Sequence, residues 1–160
     1  YYGDPTHNCV CTPGQIQRYM NKISGPLLDR IDIQCEITPV PFKDISKAAQ
    51  GEPSAEIRKR VIRAREIQAE RFSGQKGIHC NAQMSERMIH QYAEPDEAGI
   101  SMLRMAMERL SLSARAYNRI LKVARTIADL EGCEHVESHH LAEAIGYRTL
   151  DRGDWAERGI

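Results

Sequence analysis

Arg115 is the residue of this chain whose position most invites a ligand. It falls in the opening turn of residues 110–132, LSLSARAYNRILKVARTIADLEG. There Ala116, Ile120, Val123, Ala124 and Ile127 recur at the spacing of one buried helical stripe. The start of a helix is already partly positive, so a cation there is mildly unfavourable on its own. An anion such as a phosphate, seated between the guanidinium and the free backbone N–H groups, would turn the conflict into a binding site. The competing reading is a solvated arginine on a long flexible stem.

Two further groups carry metal-ligand chemistry by type. His7, Cys9 and Cys11 lie close together in a loop. Three local donors fall short of the four that a structural zinc site needs, so they read as incidental reduced thiols and a surface histidine. His135, His139 and His140 form the second group. Adjacent histidines on a helix point apart, and no carboxylate or thiol motif completes the set, so no metal site is assigned. A third group is electrostatic. Residues 54–72 carry Arg58, Lys59, Arg60, Arg63, Arg65 and Arg71, interleaved with Glu56, Glu66 and Glu70. Such a helix is either a nucleic-acid surface or a solvated helix laced with salt bridges. The loop after it, Ser73-Gly74-Gln75-Lys76-Gly77, lacks the G-x-x-x-x-G-K-[ST] pattern of a phosphate-binding loop.

The bulk properties narrow the classes. The 160 residues are 41% hydrophobic and 28% charged, with a formal net charge of +0. That is a globular composition with no global field for nucleic acid or membrane. No apolar run approaches the ~20 residues that span a bilayer. The five cysteines are odd in number and scattered, which fits a reducing, cytoplasmic setting rather than a disulfide framework. The chain opens Tyr-Tyr-Gly-Asp, without an initiator methionine or signal pattern, and reads as a piece of a longer protein.

The elements that must position these residues follow in order. Residues 12–23 predict a short helix, with Thr12 and Gln15 at capping-box spacing and Pro13 at the first position. Ser24-Gly25-Pro26 stops it. In residues 27–38 Ile31, Ile33, Cys35 and Ile37 alternate with polar residues, which predicts a strand with one buried face. No second convincing strand follows, so its neighbours are expected upstream. Pro39-Val40-Pro41 marks a boundary, and a short helical turn is expected within residues 42–51. Helices are then predicted over 54–72, 81–93, 96–110, 110–132 and 138–147, with Ser111 or Ser113 capping the fourth and Gly132 ending it. The expected fold is mainly α: a bundle of four or so helices preceded by the last helix and strand of an α/β core.

Three separated blocks carry a family resemblance. CTPGQIQRYMNKISGPLLDRIDI (residues 11–33), LSLSARAYNRILKVARTIADLEG (110–132) and HLAEAIGYRTLDR (140–152) strongly resemble the magnesium-chelatase-like AAA+ ATPases of bacteria. The nearest group is the ComM or YifB type, linked to DNA processing in natural transformation. The resemblance covers essentially the whole chain. It implies that residues 1–38 finish the nucleotide-binding core, residues 39–150 form the helical lid and residues 151–160 are a tail. It places Arg30, in LLDRIDI, where the family carries its arginine finger. Such a residue reaches a neighbouring subunit's ATP; a plain Asp29–Arg30 surface pair is the competing reading. It places Arg115 where the family carries sensor 2, a lid arginine that contacts its own subunit's phosphates.

The resemblance further implies ATP and Mg²⁺ as cofactors, self-association into a ring such as a hexamer, DNA as a partner, and no membrane partner. The P-loop, the Mg²⁺-binding strand and sensor 1 of the family lie upstream of these residues. The chain alone is therefore expected neither to bind ATP tightly nor to hydrolyse it. Two other functions compete: a magnesium-chelatase subunit for porphyrin metallation, and a free-standing helical nucleic-acid-binding module built on residues 58–71.

Overall fold

Thr12 starts the first helix as its spacing predicts. Its side chain accepts from the Gln15 N–H, Gln15 reaches back to the Thr12 N–H, and Pro13 occupies the first turn of α1 (Pro13–Met20). The computed structural model describes residues 2–4, 7–35, 37, 40, 42, 45 and 51–148. The expected helical turn within 42–51 and the tail 151–160, with Trp155, lie largely or wholly outside them.

Ser24-Gly25-Pro26 does more than stop α1. Pro26 sits in the first turn of a second helix, α2 (Gly25–Leu28), where its missing N–H costs nothing. Helical bonds continue past it, from Arg30 N–H to the Leu27 carbonyl and from Ile31 N–H to that of Leu28. The strand expected over 27–38 is therefore not formed among the described residues. Its first part is helical and residues 31–35 carry no ladder. The physical reason is the missing neighbour: an alternating segment becomes a strand only when another backbone pairs with it. Ile33 and Ile37 accordingly stand exposed.

The remaining helices form the bundle. The third helix, α3 (Ser54–Arg71), begins after Pro53 with no side-chain cap. Most of α3 stands clear of the core, and only Ala64 and Gln68 within it are buried. The segment expected to be one helix over 81–93 is split. A single 3-10 turn, Asn81–Gln83, precedes α4 (Glu86–Tyr92), whose cap is Ser85, accepting from the Met88 N–H at 3.4 Å. Asp96 caps α5 (Glu97–Leu110) by accepting from the Gly99 N–H at 2.8 Å. Gly99 is required for packing: a Cβ there would lie 2.6 Å from Leu141 Cδ1 and 2.7 Å from Pro95 Cβ.

The centre of the bundle is α6 (Ala114–Glu131). Ser113 caps it, accepting from the Ala116 N–H at 3.2 Å. Ser111 has the other role: at φ +50° it closes α5, with the Leu112 N–H on the Met107 carbonyl. Gly132, at φ +79°, closes α6 in the same way. Its own N–H reaches the Asp129 carbonyl, and the Cys133 N–H reaches that of Ala128. The last helix, α7 (Ser138–Gly146), folds back along α6 and also meets α5, while α3, α4 and the 3-10 turn pack on other faces of α6. Ala116, Ile120, Ala124 and Ile127 of the stripe are buried, together with Leu121 and Ala128, while Val123 is half-buried. Leu103, Ile89, Val136 and Leu141 complete the core, and Phe72 meets Tyr92 edge-on at 5.9 Å. No helix among the described residues is long and apolar enough to cross a membrane.

Candidate functional site

Arg115 lies in the first turn of α6, held in place by the Ser113 cap below it and by buried Ala116 beside it. Its side chain is exposed and makes no hydrogen bond or ion pair with the described residues. A cation at the positive end of an eighteen-residue helix, with no carboxylate to neutralise it, is available to an anion from solution. Arg30 follows α2 and is also exposed; its guanidinium donates to the Pro26 carbonyl at 2.8 Å. It makes no ion pair with Asp29, so the plain surface-pair reading does not hold among the described residues.

The two arginines do not touch, but their elements do. Asp32, two residues after Arg30, pairs with Arg119, one helical turn after Arg115. The Gln34 N–H donates to the Tyr147 carbonyl at 3.0 Å, and the Arg148 guanidinium donates to the Ile31 carbonyl. The loop after α2 is thus fastened to the bundle at three points.

Beneath this surface α6 is braced by a buried polar network that the stripe analysis does not contain. Asp129 is 0% exposed and Arg125 1% exposed. Arg71, at the end of α3, donates to both Asp129 carboxylate oxygens, at 2.8 and 2.5 Å, and to the Asn81 side chain at 2.9 Å. Asn81 donates in turn to Asp129 at 2.7 Å and to Thr126 at 3.1 Å. Arg125 bonds Asp129 at 3.1 Å and the carbonyls of Glu134 and Cys133 at 2.7 and 2.5 Å. Burial alone would push the Asp129 carboxyl up. The hydrogen bonds from Arg71 and Asn81, with the charges of Arg71 and Arg125, outweigh it and hold the group below the ordinary aspartate value. Burial pushes Arg125 down, against the pull of Asp129. The signal for this network is in the sequence: Arg125 and Asp129 are four apart and border the apolar stripe.

The histidines near the C-terminus gain partners that sequence spacing hides. The turn at Gly132 brings Glu131 and Cys133 to His140, with ligand atoms within 4.8 Å of one another. Glu131 Oε2 lies 2.9 Å from Nε2 of both His139 and His140. These distances suit a metal, but the tautomer does not. His140 Nδ1 accepts from the Glu137 backbone N–H at 2.9 Å, which caps α7. Its proton is therefore on Nε2, donated to Glu131, and the lone pair a metal would take is already used. The cluster is a hydrogen-bonded helix cap.

The hydrogen bond to Glu131, with the charges of Glu131 and Glu137, outweighs burial and raises the His139 pKa above the usual histidine value. The bonds from His139 and His140 lower that of Glu131. The signs define a window. The raised His139 value stabilises the fold below the histidine's unfolded pKa, and this is lost as pH rises through the folded one. The lowered Glu131 value stabilises it above the carboxylate's unfolded pKa, and this is lost as pH falls through the folded one. In an NMR titration His139 is expected to show a midpoint above that of a free histidine. The shift should vanish in Glu131→Gln; an unmoved midpoint in that variant would remove the pairing.

The basic stretch on α3 is largely engaged within the chain. Lys59 pairs with Glu56, Arg60 with Glu52, Arg65 with Gln68 and Arg71 with Asp129. Lys59–Glu56 lies within the helix, Arg60 reaches back to the residue before Pro53, and Arg71 reaches across to α6.

Comparison with known proteins finds relatives along nearly all of the chain. The family model described as magnesium chelatase, subunit ChlI C-terminal, matches residues 51–148, and that of magnesium chelatase, subunit ChlI, matches residues 1–45. Competence protein ComM of Haemophilus influenzae is 43% identical over 148 residues, which cover 92% of this chain and 28% of that protein. The uncharacterized protein YifB of Salmonella typhimurium is 44% identical over 143 residues, 89% of this chain and 27% of its own length. A Mycobacterium tuberculosis protein, Rv2897c, is 36% identical over 145 residues, 91% of this chain and 28% of its own. The chain spans just over a quarter of the length of these curated relatives. With a family model over most of its bundle and these relatives along nearly all of its length, the chain belongs to the magnesium-chelatase-like family of AAA+ ATPases, ComM/YifB type.

Proposed function

We propose that this chain supplies the end of the nucleotide-binding core (residues 1–38) and the helical lid (residues 39–150) of an ATP-driven motor that forms a ring, such as a hexamer, and remodels DNA. Arg115 is its sensor 2, holding the phosphates of its own subunit's ATP. Arg30 is its arginine finger, directed at the ATP of the neighbouring subunit. The observation that carries this reading is the exposed guanidinium of Arg115, without an ion pair among the described residues, at the capped start of the central helix.

Two of the residues present suit the phosphates of ATP, and Mg²⁺ would be held by the upstream strand that the resemblance implies. Arg115 offers charge and a helix N-terminus to phosphate oxygens, and Arg30 offers a planar donor fork on an exposed loop. The bound nucleotide supplies the phosphoryl group that is transferred to water. This chain's part is to bind, orient and neutralise charge around it.

In the full-length protein Arg115→Ala removes one charge-assisted contact and should weaken ATP binding roughly 10- to 100-fold. A titration with a fluorescent ATP analogue reads this directly. Unchanged affinity would take Arg115 out of the nucleotide site. Stimulation of ATP hydrolysis by duplex or branched DNA tests the motor's substrate. A relative named a competence protein favours DNA, whereas the names of the two family models favour metal insertion into a porphyrin. Hydrolysis stimulated by porphyrin and not by DNA would decide for the second. A free-standing nucleic-acid module loses ground because four basic residues of α3 are bonded within the chain.

A further inference from the structure

Arg148, just beyond α7, has no role in the reading above, yet it is the most deeply placed cation near the Arg30 loop. Its side chain is fully buried, although it stands at the edge of the bundle. A buried guanidinium is costly unless its donors are used. One donor goes to the Ile31 carbonyl, and Nη2 lies 3.9 Å from Asp29 Oδ1. Asp29 and Ile31 are the residues on either side of Arg30, so a single planar group addresses both flanks of the proposed finger. The contact is reinforced nearby. The Tyr147 carbonyl accepts from the Gln34 N–H at 3.0 Å, and Gln34 Nε2 donates to the Leu28 carbonyl at 3.5 Å. Arg119 on α6 pairs with Asp32. That pair is partly exposed, and such pairs contribute little alone, so Arg148 is the principal anchor.

We infer that Arg148 is a positioning residue for Arg30: it fastens the loop that carries the finger to α7, and through α7 to the helix that carries Arg115. The inference rests on the assignment of Arg30 and Arg115 proposed above. It adds that one subunit's lid and the finger it extends to its neighbour move as a unit. A change of lid position on nucleotide binding would then shift Arg30 relative to the adjacent site. The coupling needs no direct contact between the two arginines, because α6 and α7 are packed through the shared core.

The test uses the full-length protein. Arg148→Gln keeps a polar side chain but loses the fork that spans both flanks. Misplacing a catalytic group by about 1 Å can cost ~10²-fold in rate, and a loss of that order in kcat is expected with ATP affinity held within about twofold. Mixing provides the readout that general loosening of the fold would not give. An Arg148→Gln subunit keeps its own nucleotide site and lacks a placed finger; an Arg115→Ala subunit has the reverse defect. In mixed rings the interface that joins the two sound halves should recover hydrolysis.

The mixture of Arg30→Ala with Arg115→Ala is the control for the underlying assignment. If that control fails to recover, the finger and sensor assignment falls. If it recovers while Arg148→Gln is fully active, or stays inactive in the mixture, the positioning role alone falls. Should Arg148→Gln not fold, as judged by circular dichroism, Arg148→Lys decides, because it keeps the buried charge and loses the planar fork. It should lower kcat with ATP affinity held, and should recover in the mixture with Arg115→Ala. Normal turnover in Arg148→Lys, or no recovery in a mixture whose control recovers, overturns the inference.

Discussion

Asp129→Ala is expected to cost about 3–5 kcal/mol of folding stability, the range for removing one partner of a buried ion pair. The carboxylate is fully buried and is the meeting point of Arg71, Arg125 and Asn81. Without it Arg125 is left buried beside Arg71 with no counter-charge, and Asn81 loses its acceptor. The loss is large because it falls on three elements together: the end of α3, the 3-10 turn and the end of α6. Urea unfolding of this chain reads it as a lower midpoint at an unchanged slope. Asp129→Asn keeps the shape and removes the charge, and should lie between the two. Because the folded pKa is lowered, the charge contributes above the unfolded aspartate value and is lost as pH falls through the folded one. The difference between wild type and Asp129→Asn should therefore shrink in acid. A cost below about 1 kcal/mol, typical of an exposed pair, would show that the network does not brace the bundle.

Arg30→Ala in the full-length protein is expected to lower kcat for ATP hydrolysis by ~10³-fold or more while sparing ATP binding. The guanidinium is exposed, and its one hydrogen bond among the described residues, to the Pro26 carbonyl, is a neutral contact with its own helical turn. Leaving that contact to reach a phosphate costs little. The same exposure means that the variant should fold normally, with stability changed by no more than about 0.5 kcal/mol. A large kinetic loss without a stability loss is the signature that separates a finger from a structural arginine. Steady-state hydrolysis and a melting curve on one preparation measure both. Normal turnover would refute the assignment.

Helices were legible where local chemistry and burial agree. The Thr12–Gln15 box and Pro13 set α1, and the stripe from Ala116 to Ile127 with Gly132 at its end set α6. Ser113 and Ser111 could be told apart only in three dimensions, because both can cap and only one backbone turns left-handed. Residues 81–93 read as one helix because Met84 and Ser85 do not break a periodic pattern. Ser85 instead starts a new helix by bonding its own third residue. The alternation at 31–37 is a strand pattern awaiting a partner, which no spacing within the segment can provide. Arg125–Asp129 was hidden because charged residues beside a stripe read as solvated. The Glu131–His140 contact was hidden because it depends on the angle at Gly132. Arg115 drew notice because its charge opposes its helix, a conflict visible in one dimension.

The bond from Arg148 to the Ile31 carbonyl spans 117 positions of sequence. At a synthesis rate of ~5–20 residues per second, Ile31 leaves the ribosome's catalytic centre roughly 6–23 s before Arg148 is added. The α6–α7 hairpin closes across a short turn and assembles at little entropic cost, whereas this bond must wait for the last helix. During translation the Arg30 loop therefore exists for many seconds without its anchor. On that schedule the proposed finger is set in place last, after the helix that carries Arg115 has been made.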